Sequence, residues 1–217
     1  MSKTLTKPFS HLYMTNFVAD QLIPFIKNPE TLPPVTCLYG FPGCGKTEFA
    51  NVFADNFAFS KDYHAMSEYS DAHVRSKAFA KDLKADTSVT MLPIFDDADA
   101  KCFSHVTILD EFHDLSKRAQ ASFKTRFDRI REDDRVFIIV NVKDGQLVES
   151  VLHEAITSRV HTIDFDMLEK DTESHVKFLM KKFKNLKAQE ICGMLPDMRR
   201  IQRENKLHSD KGEQHDA

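Results

Sequence analysis

The stretch that decides the fold is Val35-Thr36-Cys37-Leu38-Tyr39-Gly40-Phe41-Pro42-Gly43-Cys44-Gly45-Lys46-Thr47. Its first six residues form a short apolar run of the length of a buried strand, entered from Pro33-Pro34, a pair that stops whatever precedes it. Gly40 to Thr47 then spell Gly-x-x-x-x-Gly-Lys-Thr, and behind them Phe49, Val52, Phe53 and Phe57 share one helical face. In a strand–turn–helix context the glycines let backbone N–H groups turn inward around phosphate oxygens, and the helix start adds its positive dipole end. Lys46 is expected to reach the β- and γ-phosphates, and the Thr47 hydroxyl to hold Mg²⁺. The stretch implies a nucleoside triphosphate site formed by Gly40, Pro42, Gly43, Cys44, Gly45, Lys46, Thr47 and Glu48.

Working outward, residues 1–30 read as a mostly helical lead-in, with Phe17, Leu22, Ile23, Phe25 and Ile26 at roughly helical spacing. On the other side a helix is predicted over residues 72–83 and an acidic, irregular loop over 85–100. His105 to Leu109 form a second buried-type strand, 115–130 has helical character, Arg135 to Asn141 is a third strand and His161 to Phe165 a fourth. Strands alternating with helical patterns predict an α/β fold, a parallel sheet of the P-loop NTPase kind with helices on both faces. We expect a nucleotide-binding core over 1–165, a small helical lid over 166–206 and a frayed polar tail over 207–217.

Val106-Thr107-Ile108-Leu109-Asp110-Glu111 puts Asp110 at the carboxyl edge of the second strand, beside the phosphate loop. There it can orient Mg²⁺ and its waters, with Thr47 as the other metal contact, while Glu111 polarises an attacking water. Asn141, at the end of its strand, can sit between the two motifs and help position that water. It also reads as an ordinary strand-terminating Asn that opens the Asn-Val-Lys-Asp-Gly turn.

Composition bounds the rest. In 217 residues, 30 basic side chains face 33 acidic ones for a net charge of −3, which excludes a histone-like protein that holds nucleic acid by bulk charge. A core of 41% hydrophobic residues with 18 Phe is ample. The four cysteines, Cys37, Cys44, Cys102 and Cys192, have no metal-binding spacing and fit a reducing compartment. The N-terminus carries no apolar leader, and no stretch approaches a membrane span, so a soluble intracellular protein is expected.

The segment Glu154-Ala155-Ile156-Thr157-Ser158-Arg159-Val160 brings a family into view. The order of parts resembles the AAA+ ATPases, and within them the clamp-loader small subunits, those of T-even-type phages most of all. That family has Ser-Arg-Cys where this chain has Ser158-Arg159-Val160, and the resemblance implies that Arg159 reaches the γ-phosphate held by a neighbouring subunit. Such an arginine contributes about 10³–10⁵ in rate. Leu195-Pro196-Asp197-Met198-Arg199-Arg200 resembles the family's sensor-2 element, which makes Arg199 a γ-phosphate contact from the same chain. Ser67-Glu68-Tyr69-Ser70-Asp71 and the helix carrying Arg75 are similar to an Asn-x-Ser-Asp segment, and Ala119-Gln120 through Lys124 to a helix that faces DNA.

The resemblance covers roughly residues 35–203. The family's helical collar domain is not matched, and its adenine-side Arg-Pro box has only a faint echo in Lys7 to Met14. What the resemblance implies is a cytoplasmic ATPase, in a bacterium or a phage-infected host, that uses ATP and Mg²⁺. Its partners would be primer-template or duplex DNA, further copies of itself or related subunits, and a sliding clamp or helicase. Arg75, Lys77, Lys81, Gln120 and Lys124 would track DNA phosphates, although lysines and arginines on helices are ordinarily a solvated face. A helicase loader or transposition regulator working as a ring or filament on DNA is the alternative. A polypeptide-threading remodeller lacks its pore loop here, and a nucleoside kinase would need neither Ser158-Arg159 nor Asp197-x-Arg199.

Overall fold

Five strands run in one direction and form a single sheet in the order β2-β3-β4-β1-β5. They are β1 (Val35–Gly40), β2 (Ala58–Ala65), β3 (Phe103–Asp110), β4 (Asp134–Asn141) and β5 (His161–Asp164). The computed structural model describes residues 9–76, 79, 101–143, 146–166 and 169–213. Parallel neighbours cannot be joined by tight hairpins, so the chain crosses over between strands through helices that cover the sheet. β1 lies between β4 and β5, with Leu38 in register with Ile139 on one side and Ile163 on the other. Covered on both faces, β3 and β4 read as nearly continuous apolar runs.

One face carries α1 (Asn16–Lys27) and α2 (Lys46–Phe57), whose core includes Leu22, Phe49, Phe53 and Phe137. The opposite face carries α3 (Asp71–Val74), α4 (Lys117–Ala121), α5 (Lys124–Phe127), α6 (Val148–Val151) and α7 (Glu154–Thr157). Its core includes Phe112, Phe123, Ile138 and Ile156. Burying each such Phe or Ile stabilises by about 1.5–3 kcal/mol, and an alanine at Phe53 would cost about 3–5 kcal/mol. The helical character of 115–130 resolves into α4 and α5, separated at Ser122, whose hydroxyl donates 2.6 Å to the carbonyl of Ala119. The helix predicted over 72–83 begins as α3, and the rest of it and the loop at 85–100 lie largely outside the described residues.

A reading by apolar runs finds four of the five strands and passes over β2. Ala58-Phe59-Ser60-Lys61-Asp62-Tyr63-His64-Ala65 is mostly exposed and polar, the composition of an edge strand. Its conformation comes from the ladder to β3, which runs in register from Ala58 opposite Phe103 to Ala65 opposite Asp110.

The C-terminal helices α8 (Glu169–Lys182), α9 (Ala188–Met194) and α10 (Met198–Glu213) enclose a core of their own around Leu179, Ile191 and Ile201, as a lid does. Tyr13 joins that core from the N-terminal side, with its ring 5.1 Å from the ring of Phe183. α10 runs on through residues 207–213, the described part of the segment expected as a polar tail. Among the described residues no helix is long and apolar enough to cross a membrane.

Candidate functional site

The loop after β1 turns sharply at three glycines with positive φ, Gly40 (145°), Gly43 (81°) and Gly45 (97°), values that side-chain-bearing residues rarely adopt. It delivers the chain into α2, so the N–H groups of that helix's first turn face a cavity of about 390 Å³. Pro42, Gly43, Cys44, Gly45, Lys46, Thr47 and Glu48 all line this cavity. Lys46 is 4% exposed. Its ammonium donates to the carbonyls of Gly40 (2.9 Å) and Phe41 (2.6 Å), with Cys44 Sγ at 3.4 Å. Burial pushes the Cys44 thiol up despite the nearby ammonium, and the fully buried Cys37 up to about 12. The Phe41 N–H donates to Asp166 Oδ1 (2.9 Å), which braces the loop from beyond β5.

Asp110 ends β3 at the cavity wall and collects three donors. Thr47 Oγ1 and the Tyr63 hydroxyl each donate to its Oδ2 at 2.9 Å, and the Glu111 N–H donates to its Oδ1 at 2.8 Å. Burial and the Asp110 carboxylate push the Tyr63 phenol up to about 12, which keeps it a donor. Glu111 has a left-handed backbone (φ 54°), and its Oε2 accepts from Ser67 Oγ. Asn141, at the tip of β4, lines the cavity while its backbone N–H donates 3.4 Å to His113 Nδ1.

The lid closes the cavity with Met198, Arg199 and Gln202. The Met198 N–H donates to the Gly43 carbonyl (3.1 Å), and a Cβ at Gly43 would stand 2.4 Å from Asp197 Oδ1. Only glycine permits that approach.

The donor set fits a nucleoside triphosphate and a magnesium ion. The cavity volume lies in the range of small-ligand sites, its floor is a helix start with a lysine, and Thr47 and Asp110 offer hard oxygens side by side. Among the described residues no three His, Cys, Asp or Glu side chains converge on a metal, so phosphate oxygens and water would have to complete the shell of a magnesium ion held there.

The candidate residues Lys46, Thr47, Asp110, Glu111, Asn141 and Arg199, scattered in sequence, thus share one cavity. Arg159 stands apart from it. Its Nε donates to Asp128 Oδ1 (2.7 Å) and its Nη1 to the Ala155 carbonyl (2.9 Å). Of the DNA candidates, Arg75 and Lys124 are exposed on the helical face, and Lys77 and Lys81 lie outside the described residues. Gln120 requires a correction. It is 1% exposed, donates to the carbonyls of Leu115 and Val151 and accepts from the His153 N–H, so nothing of it faces a phosphate.

Sequence reasoning missed the cavity-lining stretch His11 to Met14, whose signal is the faint echo noted above, and Tyr63 on the unread strand β2; Ser67 was read only as part of the Asn-x-Ser-Asp-like segment and not as a partner of Glu111. His11 reaches Glu48 on α2 at 3.2 Å.

No curated protein sequence matches the chain. Among solved structures, the fold is similar to the replication initiator DnaA bound to AMPPCP and single-stranded DNA, with a TM-score of 0.58 at 18% identity over 97% of this chain and 64% of that one. It is similar to AMPPCP-bound DnaA from Aquifex aeolicus (0.54, 18%, 89% and 61%). A DNA polymerase III gamma subunit-related protein from Thermotoga maritima is also alike (0.51, 12%, 87% and 58%). The chain spans about half to two thirds of the length of the structures it matches. Identities this low speak for the fold alone. The sequence model of the ATPase family associated with various cellular activities (AAA) matches residues 36–178, well over half of the chain. With the phosphate loop, the parallel sheet and the lid all in place, the chain belongs to the AAA family of ATPases.

Proposed function

We propose that this AAA-family chain hydrolyses ATP at a site shared between two subunits, within a clamp-loader-like assembly that acts on DNA in replication. The observation that carries the reading is the division of the candidate residues. Lys46, Thr47, Asp110, Glu111, Asn141 and Arg199 meet at one cavity, whereas Arg159 stands outside it, paired with Asp128, and in this reading would serve a neighbouring subunit's site.

In this reading, Lys46 leaves the Gly40 and Phe41 carbonyls to meet the β- and γ-phosphates, and the loop N–H groups hold the remaining oxygens. Thr47 and Asp110 would hold Mg²⁺, which would supply charge neutralisation at the phosphates, while Arg199 from the lid and Arg159 from the next subunit would approach the γ-phosphate. Glu111 must leave Ser67 before it can take a proton from an attacking water, and Asn141 orients that water. Arg75 and Lys124, with Lys77 and Lys81, supply sequence-independent phosphate contacts.

The test is ATP turnover with and without primer-template DNA at low salt. A rise with DNA is expected, and turnover indifferent to DNA would remove DNA from the reading. Arg159→Ala should bind ATP but not hydrolyse it, and mixing it with Lys46→Ala should restore part of the turnover. A mixture without rescue would mean that the sites are not shared.

A further inference from the structure

Tyr63 is out of character for its strand. β2 is polar and lies at the sheet edge, yet at Tyr63 it carries an aromatic side chain that is 49% exposed and turned towards the cavity wall. Its backbone is pinned opposite Ile108, and Ala65 is opposite Asp110. The side chain therefore runs along β3 for two residues, about 6.6 Å at strand rise, which a phenol ring with its hydroxyl can span. The hydroxyl ends 2.9 Å from Asp110 Oδ2, the oxygen that also accepts from Thr47. With the Glu111 N–H on Oδ1, the 7%-exposed carboxylate is held from three directions.

We infer that Tyr63 is a positioning residue of the metal site, whose hydroxyl fixes the Asp110 carboxylate so that Oδ2 stays turned towards Thr47. The inference rests on the nucleotide reading above and deepens it. A carboxylate that ends a strand can rotate about its side-chain bonds. The Glu111 N–H restrains one oxygen, but it is a neighbour in the chain and moves with Asp110. Tyr63 comes from a different strand and ties the other oxygen to the sheet. Partners of this kind, which act on a metal through the group that binds it, are worth about 10–100-fold in metal affinity. Phe59 provides the contrast on the same strand. It is equally exposed, at 48%, but has no polar atom with which to reach a carboxylate.

The experiment measures binding of a fluorescent, non-hydrolysable ATP analogue to the full chain as Mg²⁺ is titrated, and Mn²⁺ binding by electron paramagnetic resonance with ADP present. In Tyr63→Phe, which keeps the ring, the Mg²⁺ concentration at half-saturation should rise about tenfold, with weaker Mn²⁺ binding. Binding of the analogue in EDTA should stay at the wild-type level. Phe59→Leu should match wild type throughout. Added to Asp110→Asn, the Tyr63→Phe change should have no further effect, because its influence passes through that carboxylate. Equal metal dependence in wild type and Tyr63→Phe, or a loss in Tyr63→Phe that persists in the Asp110→Asn background, would overturn the inference. A Tyr63→Phe protein with lowered thermal stability and equally weakened binding in EDTA would assign the residue to the fold instead. Failure of the wild-type protein to bind the analogue at all would overturn the nucleotide reading itself.

Discussion

The hydroxyl of Ser67, just past the end of β2, donates a hydrogen bond to Oε2 of Glu111, just past the end of β3. The carboxylate assigned to the attacking water is thereby engaged elsewhere. Ser67→Ala should free it and raise ATP turnover in the absence of DNA several-fold, with a smaller stimulation by DNA. Glu111→Gln should abolish turnover and leave ATP binding within about twofold of wild type, since it removes a base and not a phosphate contact. Steady-state hydrolysis and equilibrium binding on the two variants check both.

Gln120 ties three backbone groups, at Leu115 and at Val151 and His153, joining two segments at the second core. Gln120→Leu removes the partner of two carbonyls and one N–H, and the buried bond to Leu115 alone is worth about 1–3 kcal/mol, so the melting temperature should drop by several degrees. DNA affinity of the folded fraction should be unchanged. Lys124→Ala is the converse case, with stability unchanged, weaker DNA binding and a salt slope reduced by about one. Thermal melts and salt-dependent DNA titrations separate the two.

Cys44 stands in the phosphate loop with its thiol pushed up by burial. The reactive species is the thiolate, so alkylation at pH 7.5 should be slow at Cys44 and fast at the exposed Cys192. Raising the pH should speed the Cys44 reaction by about tenfold per unit while the thiol predominates. ATP should protect Cys44 and leave Cys192 untouched. Peptide mapping of alkylated protein with and without nucleotide reads all of this.

Asp134 opens β4, and burial, followed by the neighbouring Asp133 charge, pushes its carboxyl up against the opposing pull of Arg131, His105 and Arg135. Its Oδ1 has no hydrogen-bond partner among the described residues. Because the folded state favours the protonated form, stability falls as the pH rises from the ordinary carboxylate value through the raised folded-state value, and the penalty is complete above it. Below the ordinary carboxylate range the acid is protonated whether the chain is folded or not, and the penalty vanishes. Asp134→Asn should therefore raise the melting temperature at pH 7 by about 1–3 °C, with the gain fading as the pH falls through the carboxylate range. Melts of both proteins between pH 3 and 8 decide it.

The part of the candidate site around the phosphate loop and the acidic pair was legible because its constraints are local. A glycine-rich turn, a lysine and a hydroxyl must follow a strand in fixed order, and an acidic pair must end another. β2 was not legible because an edge strand is dictated by its neighbour, and nothing in Phe59 to His64 alternates between apolar and polar. Tyr63 was lost with it, and so was the pairing of Ser67 with Glu111. Gln120 was misread because helical spacing tells which residues share a face but not which face is covered, and here α4 turns its glutamine towards the chain segment before α7. The stretch His11 to Met14 joins the site from far upstream by tertiary packing, and a segment without secondary-structure periodicity announces no such contact.

The bond between the Met198 N–H and the Gly43 carbonyl joins the phosphate loop to the first residue of α10. That helix is 16 residues long, about 24 Å as a straight rod. A tilt of about 5° at the Gly43 end carries the far end through about 2 Å. With Asp197 packed so closely on Gly43 that not even a methyl group fits between them, the loop has no slack in which to move alone. The helix is thus a lever with its fulcrum at the phosphate loop, and a sub-ångström adjustment of that loop would emerge as a displacement of side-chain size at the opposite end of the lid.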